Sequence, residues 1–379
     1  MGNPTARTGA PWRVGLLFSK TGITSVIEQT QLQASILAIE EINAAGGING
    51  RELRAIHYDP GSSTAGFAQH AKRLMIDDGV TTIFGCYTSS SRKAVLPVVE
   101  RLNGLLWYPT LYEGFEYSPN IIYTGAAPNQ NSVALSQYLL KTYGNRFFLI
   151  GSDYIYPRES NRVIGELVRM AGGAVVGERY VGLRAQRRDF LPLMRECGQL
   201  RPSVIFSTVV GEATTHLYQA YADAGFDPRI MPIASLTTTE AEIGAMGPDV
   251  GCGHITAAPY FEAVDSDVNR AFVGRYKKRF GSDQTTNMCV EAAYFQVHIF
   301  ARALAMTNSI ETDCLRPMVL GSAFEAPQGQ ITINPMCGHT DLWTRLGRAN
   351  GDGKFDIFWQ SRVPVGADPY LVGYGAQVA

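Results

Sequence analysis

The chain has 379 residues, of which 45% are hydrophobic and 18% charged, and its formal net charge is −1. A length prior of about 150 residues per domain gives two or three domains with ample material for large cores. The neutral balance argues against direct contact with nucleic acid or an acidic membrane, and no run of about 18 apolar residues suggests a membrane span.

Residues 1–11 are short and polar and carry no charged segment followed by a long apolar one, so no signal peptide is visible and a cytoplasmic location is expected. A chain trimmed of its signal would read the same and would be periplasmic. From there strands and helices alternate. Arg13–Ser19 reads as strand, Thr30–Asn43 as helix ending at Gly46-Gly47, Glu52–Tyr58 as strand, Thr64–Asp78 as helix and Thr81–Tyr87 as strand. A helix entered through Ser89–Ser91 follows, with Pro97 expected to kink or restart it, and then strands Leu105–Thr110 and Ile121–Thr124. A second series begins near Pro128: helix Ser132–Tyr143, strand Phe147–Ser152, helix Glu159–Met170, strand Ala174–Val181, helix Asp189–Cys197 and strand Val204–Val210. Helix Thr214–Ala224, strands Pro232–Leu236 and His254–Ala258, and helices Asn269–Phe280 and Asn287–Met306 come next. The tail from Gln330 has β character, with a hairpin signal at Asn350-Gly351-Asp352-Gly353. Two such series in tandem describe an α/β chain of two lobes, each a doubly wound, mainly parallel sheet.

Catalytic signatures are missing. There is no G-x-G-x-x-G after a strand, no phosphate-binding G-x-x-x-x-G-K-[ST], no G-x-S-x-G and no H-E-x-x-H. The six histidines never cluster, and the six cysteines lack C-x-x-C spacing, so free buried thiols are expected and neither a metal site nor a cofactor. Ser89, Ser90 and Ser91 read as helix-capping residues, and Glu113, Glu116, Asp153 and Glu159 as caps or ion-pair partners. An enzyme is not expected.

Two stretches stand apart. Gly85–Ser91 is answered by Trp107–Gly114, and Gly151–Ser160 follows a later strand. In each, an apolar run breaks into hydroxyls and tyrosines just before a helical pattern, which is where open α/β sheets bind ligands. Packing at strand ends is the plainer account of any one tyrosine.

The residue text Gly85-Cys86-Tyr87, Ser91–Val95, Pro97–Arg101, Tyr112–Ile121, Pro128–Ser132, Gly151–Asn161, Phe206–Gly211 and Ala234–Thr238 resembles the type I periplasmic-binding-protein superfamily. Within it the chain is similar to the amide receptors that act as negative regulators of aliphatic amidase operons. Urea- and short-amide-binding transport proteins share part of the same text. The resemblance runs from about residue 13 to Tyr370 and implies a ligand cleft between the lobes, with 13–127 plus 260–330 forming the N-terminal lobe and 128–259 plus 331–375 the C-terminal lobe. It places Tyr87, Ser89, Tyr108, Thr110 and Leu111 from the first lobe at the ligand, with Tyr154, Tyr156 and Thr237 from the second. In the regulators a proline follows the pocket threonine where this chain has Leu111, a change expected to alter ligand ranking by about 1–3 kcal/mol per methylene gained or lost.

A neutral amide offers one carbonyl acceptor and an NH₂ group, which suits hydroxyls and backbone groups. Ser89 is expected to donate to the carbonyl, Thr110 or Tyr154 to accept from the NH₂, and Tyr87, Tyr108 and Tyr156 to wall the alkyl end. About four heavy atoms at a ceiling of about 1.5 kcal/mol each give a dissociation constant near tens of micromolar. The resemblance implies that amide shifts an open–closed equilibrium and releases an RNA-binding antitermination regulator that the chain otherwise sequesters. The alternative is the solute receptor of an ABC permease for urea or short amides. Homo-oligomers are compatible with either.

Overall fold

The computed structural model describes residues 9–373. In the first lobe β1 (Trp12–Leu17), α1 (Ser25–Ala44), β2 (Leu53–Tyr58), α2 (Thr64–Ile76), β3 (Thr82–Gly85), α3 (Ser89–Arg101), β4 (Leu105–Tyr108) and β5 (Ile121–Tyr123) follow one another. Their strands form a parallel sheet in the order β2-β1-β3-β4-β5. β3, β4 and β5 are buried at every residue, as strands covered by helices on both faces must be. Pro97 does not break α3, because it lies on the exposed face, where water can satisfy the carbonyl that its missing N–H leaves free.

The second lobe holds α4 (Ser132–Thr142), β6 (Arg146–Ser152), α5 (Ile155–Met170), β7 (Ala174–Val181), α6 (Arg187–Leu200), β8 (Val204–Thr208), α7 (Glu212–Asp223), β9 (Ile233–Ser235), α8 (Glu240–Met246), α9 (Pro248–Gly251) and β10 (Ile255–Ala258). The chain then returns to the first lobe. α10 (Asp267–Phe280) and α11 (Met288–Thr307) pack on α1, where Ser35 Oγ reaches the Ala293 carbonyl at 3.3 Å. Small residues at this contact, Ala34, Ala38, Ala292 and Ala293, let the two long helices approach closely. α12 (Thr312–Val319) packs against α11.

The tail divides between the lobes. β11 (Ala323–Ala326), β12 (Gly329–Ile333) and β13 (Thr340–Asp341) form a small antiparallel sheet beside the first lobe. The Tyr123 N–H donates to the Gly338 carbonyl at 3.0 Å, and the His339 ring stacks on Tyr123 with centroids 4.1 Å apart. β14 (Arg345–Ala349) and β15 (Phe355–Gln360) cross over and complete a seven-stranded sheet ordered β15-β14-β10-β9-β8-β6-β7. Residues 331–341, expected in the C-terminal lobe, therefore sit against the first, since Gly338, His339 and Thr340 bond to Tyr123 of the edge strand β5. Asn350 closes the β14–β15 hairpin by accepting from the N–H groups of Asp352 and Lys354. The three crossings between lobes fall after β5, after β10 and between β13 and β14.

All six cysteines are unpaired; Cys86, Cys197 and Cys289 are buried, whereas Cys252 and Cys314 are exposed, contrary to the expected burial. Each of the last two lies beyond the packed face of its element, in the turn after α9 or on α12. No helix is long and apolar enough to cross a membrane, and no group of metal-ligating side chains occurs, both among the described residues.

Candidate functional site

The carboxyl ends of β3, β4, β6, β8 and β9 face one another across the lobes. Around the point where they meet, Tyr87, Ser89, Thr110, Leu111, Tyr154, Tyr156, Val210 and Thr237 line one cavity. It leaves about 10 Å³ for the centre of a water-sized molecule, about what a single water needs. Every lining residue but the half-buried Tyr154 is at most 6% exposed.

Local geometry explains how the first lobe presents these groups. Cys86 follows β3 with φ of 69°, an unusual conformation for a non-glycine residue, and turns the chain out of the sheet towards α3. Thr88 caps that helix by accepting from the Ser91 N–H at 3.1 Å. Ser89, first residue of the helix, thus lies among the N–H groups that have no intrahelical acceptor. The Thr110 hydroxyl accepts from Gln31 Nε2 at 3.0 Å and donates to the Cys86 carbonyl at 3.4 Å. On the opposite wall, the Thr237 hydroxyl donates to the Val209 carbonyl at 3.2 Å. Tyr156 is the exception: its buried hydroxyl has no partner of good geometry, although Ser160 lies close by. Burial drives the phenols of Tyr87, Tyr154 and Tyr156 upward, so all three are neutral.

Seven of the eight residues anticipated at the ligand meet here; Tyr108 does not line the cavity. Its hydroxyl donates to the Tyr87 carbonyl at 2.7 Å and its ring lies 4.8 Å from the Arg92 guanidinium carbon, so it forms the floor beneath the site. Val210, which the sequence reading left out, takes a place on the wall because the segment after β8 continues into the cleft.

A buried ionic network supports this floor. Arg92 pairs with Glu113 at 3.1 Å and with Glu116 at 2.6 Å, its Nη1 donates to Ser89 Oγ at 3.2 Å, and Tyr112 covers its other side at 4.6 Å. Lys93 reaches Glu116 at 2.8 Å and the Tyr123 hydroxyl donates to Glu116 at 3.0 Å. Ser89 gives its own proton to Glu113 Oε2. The serine can therefore only accept from a ligand, which reverses the donor role expected of it. Glu113 and Glu116 are the ion-pair partners that the sequence suggests, whereas Arg92 is not legible there, because a charged residue early in a helix reads as solvated.

Burial alone would raise the Glu116 carboxyl, but Arg92 and Lys93 hold it down at about 2. An unfolded glutamate titrates near 4.5. Because the folded value is the lower one, the stabilisation is complete above about 4.5 and is lost as pH falls through about 2. Urea unfolding from about pH 6 to about pH 2 is expected to show a stability decline below pH 4.5 that is shallower in Glu116→Gln. Equal slopes would remove Glu116 as its source.

Two α/β lobes crossed three times by the chain, with an enclosed polar cavity between them, define a ligand-binding receptor of the type I periplasmic-binding-protein fold. The chain belongs to the periplasmic binding protein domain family, whose model matches residues 12–375. It is 22% identical over 324 residues, 84% of each chain, to a leucine-, isoleucine-, valine-, threonine- and alanine-binding protein of Pseudomonas aeruginosa. A shorter match, 32% identical over 126 residues, is to a limonene hydroxylase of Geobacillus stearothermophilus; it spans 33% of this chain and only 23% of that protein. Among solved structures, an ABC-transporter solute binding protein from Rhodopseudomonas palustris BisB5 in complex with 3,4-dihydroxybenzoic acid superposes with a TM-score of 0.84 at 22% identity, covering 94% of this chain and 98% of that one. A branched-chain amino acid transporter substrate binding protein from Streptococcus pneumoniae, in complex with isoleucine, gives 0.81 at 17% identity, covering 93% and 99%. The family model over nearly the whole chain and the solute-binding proteins among the relatives, not the hydroxylase match over a third of it, make the chain a binding protein and not an enzyme.

Proposed function

We propose that the interlobe cavity binds one molecule of a small neutral amide or urea. The observation that carries this reading is the hydrogen-bonding character of a very small cavity. Ser89 Oγ, with its proton directed to Glu113, and Thr110 Oγ1, with its proton directed to Cys86, present lone pairs; Tyr156 has an uncommitted O–H. An NH₂ group and a carbonyl oxygen satisfy both kinds of group at once. A carboxylate brings no donor for Ser89 and meets Glu113 behind it. The cavity has room for about one water, so any ligand requires the lobes to part somewhat, and a ligand of about four heavy atoms requires less parting than a benzoate or a branched amino acid.

Titration calorimetry with acetamide, propionamide, urea, leucine and benzoate tests this. Short amides or urea are expected to bind in the micromolar range, about tenfold more weakly in Tyr156→Phe, the loss of one hydrogen bond to a ligand. Binding of leucine or benzoate alone would overturn the assignment.

What the bound solute does is a separate matter. Delivery to an ABC permease, with the chain outside the cytoplasmic membrane, is supported by the transport proteins among the relatives. The second reading, a cytoplasmic amide sensor that sequesters an RNA-binding antitermination regulator, rests on the residue text of the whole chain; Tyr112–Ile121, which builds the Glu113 and Glu116 side of the ionic network, is shared in part with urea- and short-amide-binding transport proteins and does not separate the two. Deleting the gene separates the two. Loss of labelled amide uptake supports transport, and amidase synthesis without inducer supports the sensor.

A further inference from the structure

A second cavity of about 320 Å³ opens on the far side of Tyr87, within the usual size of small-molecule sites. Its apolar wall is made by Val26 and Ile27 of α1, by Tyr87 and by Ala245 of α8; its polar wall by Glu212 at the start of α7 and Glu242 of α8. Both lobes contribute, and no lysine or arginine lines it. Its single basic group, His216, is half-buried with Nδ1 3.4 Å from Gln219 Oε1.

Glu242 is the distinctive group. It is 6% exposed, and its hydrogen bonds, from the Thr239 N–H at 2.8 Å and the Thr239 hydroxyl at 2.6 Å, all fall on Oε2. Oε1 is left for an occupant. The geometry points to a second ligand site in this vestibule that takes a small alkylammonium compound, its chain on Val26, Ile27 and Tyr87 and its ammonium between Glu242 and Glu212. Burial pushes the Glu242 carboxyl up to about 7, and a bound cation is what would hold it fully ionised at neutral pH. The neutral amide site needs no such charge, so the two ligands are chemically distinct.

The probe is n-butylammonium, titrated into the full chain by calorimetry or ligand-observed NMR, beside n-butanol as its neutral counterpart. Saturable millimolar binding of the ammonium is expected, weakened about tenfold in Glu242→Gln and abolished in Ala245→Trp. Glutamine keeps the capping bonds to Thr239, and Ala245 is exposed, so both variants retain the fold. Tyr156→Phe is expected to leave this binding unchanged while weakening amide binding, which keeps failure of the amide assignment apart from failure of this one. Non-saturable binding, equal affinity for butanol, insensitivity to Ala245→Trp, or loss in Tyr156→Phe would each overturn the vestibule site.

Discussion

Arg92→Ala is expected to cost about 3–5 kcal/mol of stability, because it leaves two buried carboxylates, Glu113 and Glu116, with only the half-exposed Lys93 to balance their charges. The loss should extend to the ligand. Without Arg92, Glu113 keeps only a long contact to the half-exposed Lys93 at 3.9 Å to hold it in the arrangement that makes Ser89 an acceptor, and the rings of Tyr108 and Tyr112 lose the plane on which they rest. Urea denaturation read by circular dichroism checks the first effect and calorimetry the second. A cost below about 1 kcal/mol would mean that the carboxylates take up protons or water with little penalty, and that the network is weaker than its burial implies. Adding Glu113→Gln and Glu116→Gln to Arg92→Ala should recover part of the loss, since no buried charge then remains unpaired.

Gly211→Ala carries the other large expectation, and it bears on closure rather than on folding. Gly211 caps α7 in the second lobe at φ 68° and ψ −153°, a region essentially reserved for glycine. A Cβ there would stand 2.7 Å from the Ile23 carbonyl oxygen, which belongs to the first lobe. Alanine therefore strains its own backbone by about 1–3 kcal/mol and also wedges the lobes apart. Amide affinity should fall at least about tenfold, and small-angle scattering should show a larger radius of gyration with saturating ligand than in the unaltered protein. Unchanged affinity in a folded Gly211→Ala protein would mean that the lobes close without this contact.

The strands and helices of both sheets were legible because parallel strands buried on two faces are nearly unbroken apolar runs: Phe147–Ser152 and Val204–Val210 need no context to be read. α8, α12 and the β11 strand were not, and of β12 and β13 only a general β character from Gln330 onward was. They are short, α12 contains Pro317, and β13 is only two residues long, so their stability comes from the surfaces they lie on and not from local pattern. The lobe to which residues 331–341 belong turned on the same contact, His339 against Tyr123 and Tyr112, which no periodicity announces. At the site, hydroxyls and tyrosines at strand ends could be picked out, and seven of those eight residues share one cavity. The placement of Tyr108 could not, since successive strand residues differ only in the face on which they emerge. Nor could the direction of the Ser89 hydrogen bond, which depends on a glutamate 24 residues away.

The near-complete enclosure of the cavity has a kinetic consequence. With its walls at most 6% exposed apart from Tyr154, solute cannot leave while the lobes are together, so its residence time is bounded by how often they part. Arrival is subject to the same gate. In stopped-flow mixing at rising amide concentration, the observed relaxation rate should level off at the opening frequency if the closed form predominates beforehand, and climb without limit if the open form does.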